Sequence, residues 1–322
     1  MSSAIHNVLI AGATGSVGTP ITTALLAEPT FKVTILSRKT SSAKFPPHVP
    51  VIKVSDDYTF SELTAAFKDQ DAVISALSTT PVTQGEGTSG LAYRLIDAAL
   101  AAGVKRFIPS EFGANNLDPR PRDLVPVYNR KGAMLAYLIA ACSSPANKYG
   151  MTWTSVSCGS WLDWALDPKA SGNFLGIDVA KQTALVYDSG RSRFAVTTSH
   201  NTGLAVVKAL LNADPTANKQ VFLSDFTTSS LSVIEELERQ TGQKWDLYWQ
   251  DSAPEIAKLR GSFDAGDFNA TYGLLALSFS ADVDVGYDFE SEQQLWNERL
   301  GLPKVRLEEV VADAVKLAKS TP

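Results

Sequence analysis

The chain opens with a sharp change of hydrophobic pattern. An apolar run, Val8-Leu9-Ile10-Ala11, enters glycines at 12, 15 and 18, and apolar residues then recur at Ile21, Leu25 and Leu26. A short apolar run closed by glycine predicts a buried strand, and the wider spacing beyond it predicts a helix. The alternation continues down the chain. Further strands are predicted at 31–36, 49–54, 71–77, 106–110 and 152–157, and another at 220–223. Helices are predicted between them. One opens at Thr59-Phe60-Ser61-Glu62, which has the form of a capping box, and runs to Lys68; another covers 90–102 and stops at Gly103; a third covers 127–141. Helices at 203–212, 231–241 and 307–319 follow, with one or two short strands in 186–198 and an aromatic, glycine-bearing segment at 263–279. The polar stretch 78–89 reads as a loop, and the stretch after Gly113, with Pro119, Pro121 and Pro126, reads as too proline-rich for regular structure.

Strands alternating with helices predict a parallel sheet covered on both faces, an α/β doubly wound architecture. The glycine spacing narrows this to a Rossmann-type unit. Gly12 turns without Cβ strain, Gly15 lets a pyrophosphate approach the backbone, and Gly18 lets helix and strand pack closely. With Thr14 in the turn, the N–H groups of Ser16 and Val17 point at the anion, and Pro20 suits the first helical turn. Ala76 and Leu77, ending the fourth strand, are expected to line the cofactor crevice. Residues 1–158, with a borrowed strand near 219–225, form the nucleotide-binding part in this reading. Residues 159–322 form a smaller, interleaved substrate-binding part over the carboxyl ends of the strands.

The end of the second strand decides which dinucleotide is expected. An acidic residue there would take the ribose 2′-hydroxyl of NAD; instead Arg38 and Lys39 stand there, followed by Lys44, a set suited to the 2′-phosphate of NADP(H). A solvated basic loop is the plainer alternative.

Composition removes other classes. The 322 residues carry a net charge of −5 with no basic block, which argues against nucleic acid and anionic membrane as partners. Cys142 and Cys158 form no disulfide or metal pattern, and His6, His48 and His200 are scattered, so no metal is expected. The longest plain apolar run, Met134 to Cys142, is too short to span a bilayer, and the early glycine turn leaves no room for a signal peptide. The expectation is a cytoplasmic protein, monomer or homodimer, whose partner is a small molecule.

A nicotinamide supplies hydride, so the protein must supply orientation and a proton. Short-chain dehydrogenases commonly place a tyrosine four residues before a lysine on one helix; Tyr128 and Lys131 are three apart, still near one face. Lys131 heads an apolar run in which burial would lower its pKa. A surface lysine beside Arg130 is the alternative, as a packed tyrosine is for Tyr128.

Four segments then carry a resemblance: Gly12-Ala13-Thr14-Gly15-Ser16-Val17-Gly18, Asp71-Ala72-Val73-Ile74-Ser75, Gly103 through Pro109-Ser110-Glu111-Phe112-Gly113, and Tyr128 to Lys131. In this order they resemble the NmrA-like and isoflavone reductase-like family of atypical short-chain reductases. That family includes phenylcoumaran benzylic ether and pinoresinol-lariciresinol reductases. The resemblance implies that Lys131 is the general acid or base and also touches the cofactor, that Arg38 binds the 2′-phosphate, and that Lys44 is its neighbour. Tyr128 stands where the family's reductases commonly carry phenylalanine, and Cys158-Gly159-Ser160-Trp161 lacks a family asparagine, so the substrate stays open. Ser110 is either a turn-capping hydroxyl or a site residue. Trp161 and Trp164 either wall an aromatic pocket or pack in the core. The implied function is NADPH-dependent reduction of a small aromatic or phenolic metabolite; the alternative is a dinucleotide-sensing regulator without turnover.

Overall fold

The computed structural model describes residues 4–83 and 89–320. Six strands alternate with helices through its first half: β1 Asn7–Ala11, β2 Lys32–Arg38, β3 Val51–Val54, β4 Ala72–Ser75, β5 Arg106–Ile108 and β6 Thr152–Ser157. The helices between them are α1 Gly18–Ala27, α2 Phe60–Phe67, α3 Thr79–Thr83, α4 Leu91–Ala102, α5 Pro119–Leu124 and α6 Pro126–Ser143. All six strands are parallel, and the later strand Lys219–Phe222 pairs with β6 to complete a seven-stranded sheet. From that edge the order is Lys219–Phe222, β6, β5, β4, β1, β2, β3.

Alternation along the strands explains the two layers of helices. Val8 and Ile10 of β1 face one side with Ile35 and Ile74, against Ile21 and Leu25 of α1 and Val206 and Leu210 of the helix Ser199–Leu211. Leu9 and Ala11 face the other with Val73 and Phe107, against Leu63 and Phe67 of α2, Leu95 of α4 and Leu138 of α6. Burial on both faces is why these strands read as continuous apolar runs.

A separate core holds the remainder. Leu162, Val186, Phe194, Ile234, Leu274, Phe279 and Val311 pack together beside a three-stranded sheet that includes Thr183–Tyr187. Helix α6 joins the two cores: Leu135 and Leu138 pack under the sheet, while Val127 and Tyr128 belong to the second core. Lys131 lies between them in the helix, at the boundary.

Two local expectations are corrected. Residues 119–124, expected to be irregular, form α5. The Asp118 carboxylate caps it by accepting from the Arg120 N–H at 2.9 Å, and Pro119 and Pro121 fall in its first turn, where no intrahelical N–H bond is lost. Within the stretch 78–89, expected to be a loop, α3 occupies Thr79–Thr83; residues 84–88 lie outside the described residues. Thr59 caps α2, accepting from the Glu62 N–H, but Glu62 turns its carboxylate to the Ser55 N–H and hydroxyl and to the Thr59 hydroxyl, so the expected reciprocal box is only half formed. Gly103 caps α4 at φ +78°, as expected.

At the end of the sheet away from the glycine turn, Arg106 is 2% exposed. Its guanidinium donates to Thr152 Oγ1 at 2.8 Å, Thr154 Oγ1 at 2.7 Å, Thr216 Oγ1 at 3.1 Å and the Ala213 carbonyl, tying β5 and β6 to the turn after the helix Ser199–Leu211. Burial without a carboxylate contact pulls its pKa down to about 10. Arg106→Ala removes all four bonds and opens a cavity, so urea unfolding is expected to show a loss of about 3 kcal/mol. A loss well below about 1 kcal/mol would mean the cluster is dispensable.

Among the described residues, no helix is long and apolar enough to cross a membrane.

Candidate active site

The glycine turn joins β1 to α1. Gly12 sits at φ +89°, and a Cβ there would run into the Ala76 carbonyl at the end of β4. A Cβ on Gly18 would strike the Gly12 carbonyl, so these two glycines are required by the protein's own packing. Gly15 differs. A Cβ there would meet the Gly12 carbonyl at 3.5 Å and the Ala76 carbonyl at 3.9 Å, both ordinary contacts. The folded chain has room for a Cβ at 15, so internal packing does not require glycine there. The Gly15 N–H donates to the Gly12 carbonyl at 3.1 Å, whereas the Ser16 and Val17 N–H groups have no partner among the described residues. With α1 starting at Gly18, its positive dipole end and these free amides make an anion cradle that fits a dinucleotide diphosphate.

Gly15, Ser16 and Val17 open onto a cavity of about 480 Å³. Ala76 and Leu77 line its floor, and Ser110, Glu111, Tyr128 and Lys131 line it beyond β5. Aromatic rings line it as well. Trp161 and Trp164 meet edge to face at 6.4 Å and 90°, Trp164 lies 5.5 Å from Phe174, and Phe279 continues the row. The two tryptophans therefore wall the pocket, and they also pack against the two cores. Thr14 is exposed on the turn and is not among the cavity's lining residues.

Lys131 is 7% exposed, which removes the surface-lysine alternative. Its Nζ donates to the Glu111 carbonyl at 3.1 Å. Burial lowers its pKa, while the nearby Glu111 carboxylate opposes that fall. Tyr128, 5% exposed, lies one turn earlier on α6, and burial drives its hydroxyl well above the usual phenol range. Ser110 Oγ donates to the Leu77 carbonyl at 2.8 Å; its hydroxyl is spent on holding the ends of β4 and β5 together, the capping alternative.

The basic cluster is arranged differently from a simple row of cations. Arg38 ends β2 with its side chain 54% exposed, and its guanidinium stands 3.8 Å from Asp56. Lys39 is turned away to Glu62, 3.2 Å distant, and Lys44 is exposed. Lys53, which the sequence reading passed over, donates to Ser37 Oγ and the Arg38 carbonyl at 3.1 Å each and to the Ser41 carbonyl at 3.3 Å. It fixes the turn that carries Arg38. A single charge inside the apolar strand Val51-Ile52-Lys53-Val54, in register with Ser37, was the signal for it.

Glu111 belongs to the Pro109-Ser110-Glu111-Phe112-Gly113 segment that follows β5. It is 2% exposed, holds Asn116 Nδ2 at 2.6 Å through Oε2, and lines the cavity. The turn presenting it contains Phe112 at φ +36°, a conformation costly for a bulky residue and typical of sites held by their surroundings.

Known proteins share sequence and fold with this chain. Residues 12–174 match the model of a family described as NAD(P)H-binding. Oxidoreductase aprR of Aspergillus flavus is 34% identical over 312 residues, covering 96% of this chain and 98% of that protein. Among solved structures, AtPrR2 with NADP+ and (+)pinoresinol superposes with a TM-score of 0.71 at 19% identity, covering 98% of this chain and 100% of that one. An isoflavone reductase superposes at 0.67 with 21% identity, covering 96% and 99%. The fold is thus shared across nearly the whole length with reductases that differ from it at most positions. The chain belongs to the NAD(P)H-binding family, and its fold is that of the isoflavone reductase.

Proposed function

We propose that this protein is an NADPH-dependent reductase of a small aromatic or phenolic metabolite, a ketone, quinoid or benzylic ether, with Lys131 as its general acid or base. One observation carries the reading: a single cavity is lined by the residues of the anion cradle, by a buried lysine and by a row of aromatic rings. The oxidoreductase name of the Aspergillus relative and the aromatic ligand in AtPrR2 support it.

When bound, the reduced nicotinamide supplies hydride. The chain's own groups do the rest. The Ser16 and Val17 amides hold the diphosphate, and Arg38, on the turn braced by Lys53, takes the 2′-phosphate. Trp161, Trp164 and Phe174 stack an aromatic ring and exclude water. With a carbonyl substrate, the Lys131 ammonium protonates the developing alkoxide. With a benzylic ether, neutral Lys131 takes a phenol proton as the ether oxygen leaves. Burial, which lowers the lysine's pKa, brings both forms within reach.

Consumption of NADPH against a panel of phenolic and quinoid ketones and benzylic ethers tests the reading. Turnover of a panel member is expected; tight NADPH binding with no turnover of any would point to the sensor alternative. Cofactor choice gives a further expectation. Arg38→Ala is expected to weaken NADPH binding about 10- to 100-fold while leaving NADH nearly unchanged, the size of one or two lost charged hydrogen bonds. Equal weakening of both would mean Arg38 does not touch the 2′-phosphate.

A further inference from the structure

Glu111 has no part in the chemistry described above, yet its placement is unusual. It is a carboxylate buried to 2% exposure in the wall of an otherwise largely apolar cavity, and no arginine or lysine forms an ion pair with it among the described residues. Its backbone carbonyl takes a hydrogen bond from Lys131 Nζ, while Asn116 Nδ2 fixes one of its carboxylate oxygens. Asn116 is itself 0% exposed, and its backbone carbonyl oxygen abuts the close crossing of α6 at Gly132, where a Cβ would collide with it. The strained turn at Phe112 and this clamp hold carboxylate and lysine in fixed relation. Such a clamp would be wasted on a group that only filled space, because a buried carboxyl is costly and a leucine would fill the same volume.

We propose that Glu111 is a positioning residue that sets the charge of Lys131: as carboxylate it holds the lysine as ammonium, ready to donate, and as neutral acid it releases the lysine toward the amine. The inference rests on the proposed role of Lys131, and its test is chosen to be readable without turnover.

The other groups facing the pair leave it in control. Tyr128 on α6, Tyr287 behind it and Cys158 after β6 are all buried, and burial pushes each of them upward, the Cys158 thiol to about 12. They stay neutral through the working range, so Glu111 and Lys131 are the charges that change. Burial raises the Glu111 carboxyl to about 7, against the downward pull of Lys131 and Asn116. Above that point the carboxylate favours the lysine's ammonium; below it this support is lost.

The test is NMR titration of the protein with lysine labelled at Cε, using Lys131→Met to assign the resonance. In the wild type the Lys131 resonance is expected to show its own titration and a second inflection near 7, where Glu111 changes charge. In Glu111→Gln, which keeps size and the backbone carbonyl, the second inflection is expected to vanish and the lysine midpoint to fall by about one unit or more. An unchanged midpoint in a folded Glu111→Gln protein, or a wild-type lysine without the second inflection, overturns the proposal. The second result needs no variant, so it stands even where Glu111→Gln does not fold. Absence of turnover with every substrate, alongside the expected titrations, would count against the reductase reading and leave the charge coupling intact.

Discussion

Lys131→Met is expected to lower turnover at saturating NADPH by at least about 100-fold, the usual scale for losing a positioned proton donor. Methionine matches the length and apolar stem of lysine and fits the same buried slot, so the fold should hold. What goes is the amine that donates to the Glu111 carbonyl at 3.1 Å and faces the cavity. Saturating NADPH matters because the same amine lines the cavity onto which the cradle opens, so its loss could also alter cofactor affinity. A variant that turns over within a few-fold of the wild type would end the assignment, and Tyr128 would then be the next group to remove.

The glycine turn gives the second large effect, and it separates two kinds of glycine. Gly18→Ala forces a methyl into the Gly12 carbonyl, backbone against backbone. The atoms met are backbone and cannot swing aside as a flexible side chain would, so a stability loss of about 3 kcal/mol is expected, at the upper end for overpacking. Gly15→Ala meets only ordinary contact at 3.5 Å, so its melting temperature should stay near that of the wild type. Its NADPH affinity should nonetheless fall about 100-fold. A methyl in the cradle keeps the diphosphate from the Ser16 and Val17 amides, and two charge-assisted bonds are together worth about 3 kcal/mol. Calorimetry and thermal melting on the two variants check this. If Gly15→Ala binds NADPH as well as the wild type, the diphosphate does not lie against this turn.

The sheet was legible because its strands are buried on both faces and stand as plain apolar runs between turn residues. Lys219–Phe222 could be placed in the sheet from the return of the α/β rhythm after a looser stretch. The proline-rich segment misled because prolines were counted without regard to position. Asp118 ahead of Pro119 is a helix start, and prolines in a first turn cost no hydrogen bond. In the candidate site, Lys131 and the cradle could be found from spacing and motif order, since both follow from the periodicity of a helix and a turn. Glu111 and Lys53 could not be given roles that way. Their significance lies in what surrounds them, a carboxyl closed in beside an amine and an ammonium closing the turn at Arg38, and contacts across strands leave no spacing in the chain. Lys39 shows the converse: it sits where the motif asks for a cation, but Glu62 of α2 claims it.

In the proposed reaction, hydride passes from an NADPH whose diphosphate rests on the glycine turn to an aromatic substrate stacked beside Lys131. This transfer is tested most directly by incubating the protein with NADPH deuterated at the reactive carbon and the substrate panel, then locating the label by mass spectrometry and NMR. Deuterium is expected on the reduced carbon of an aromatic product, formed by the wild type and lost in Lys131→Met. Bound NADPH whose label never leaves the nicotinamide, with every panel member offered, would contradict it.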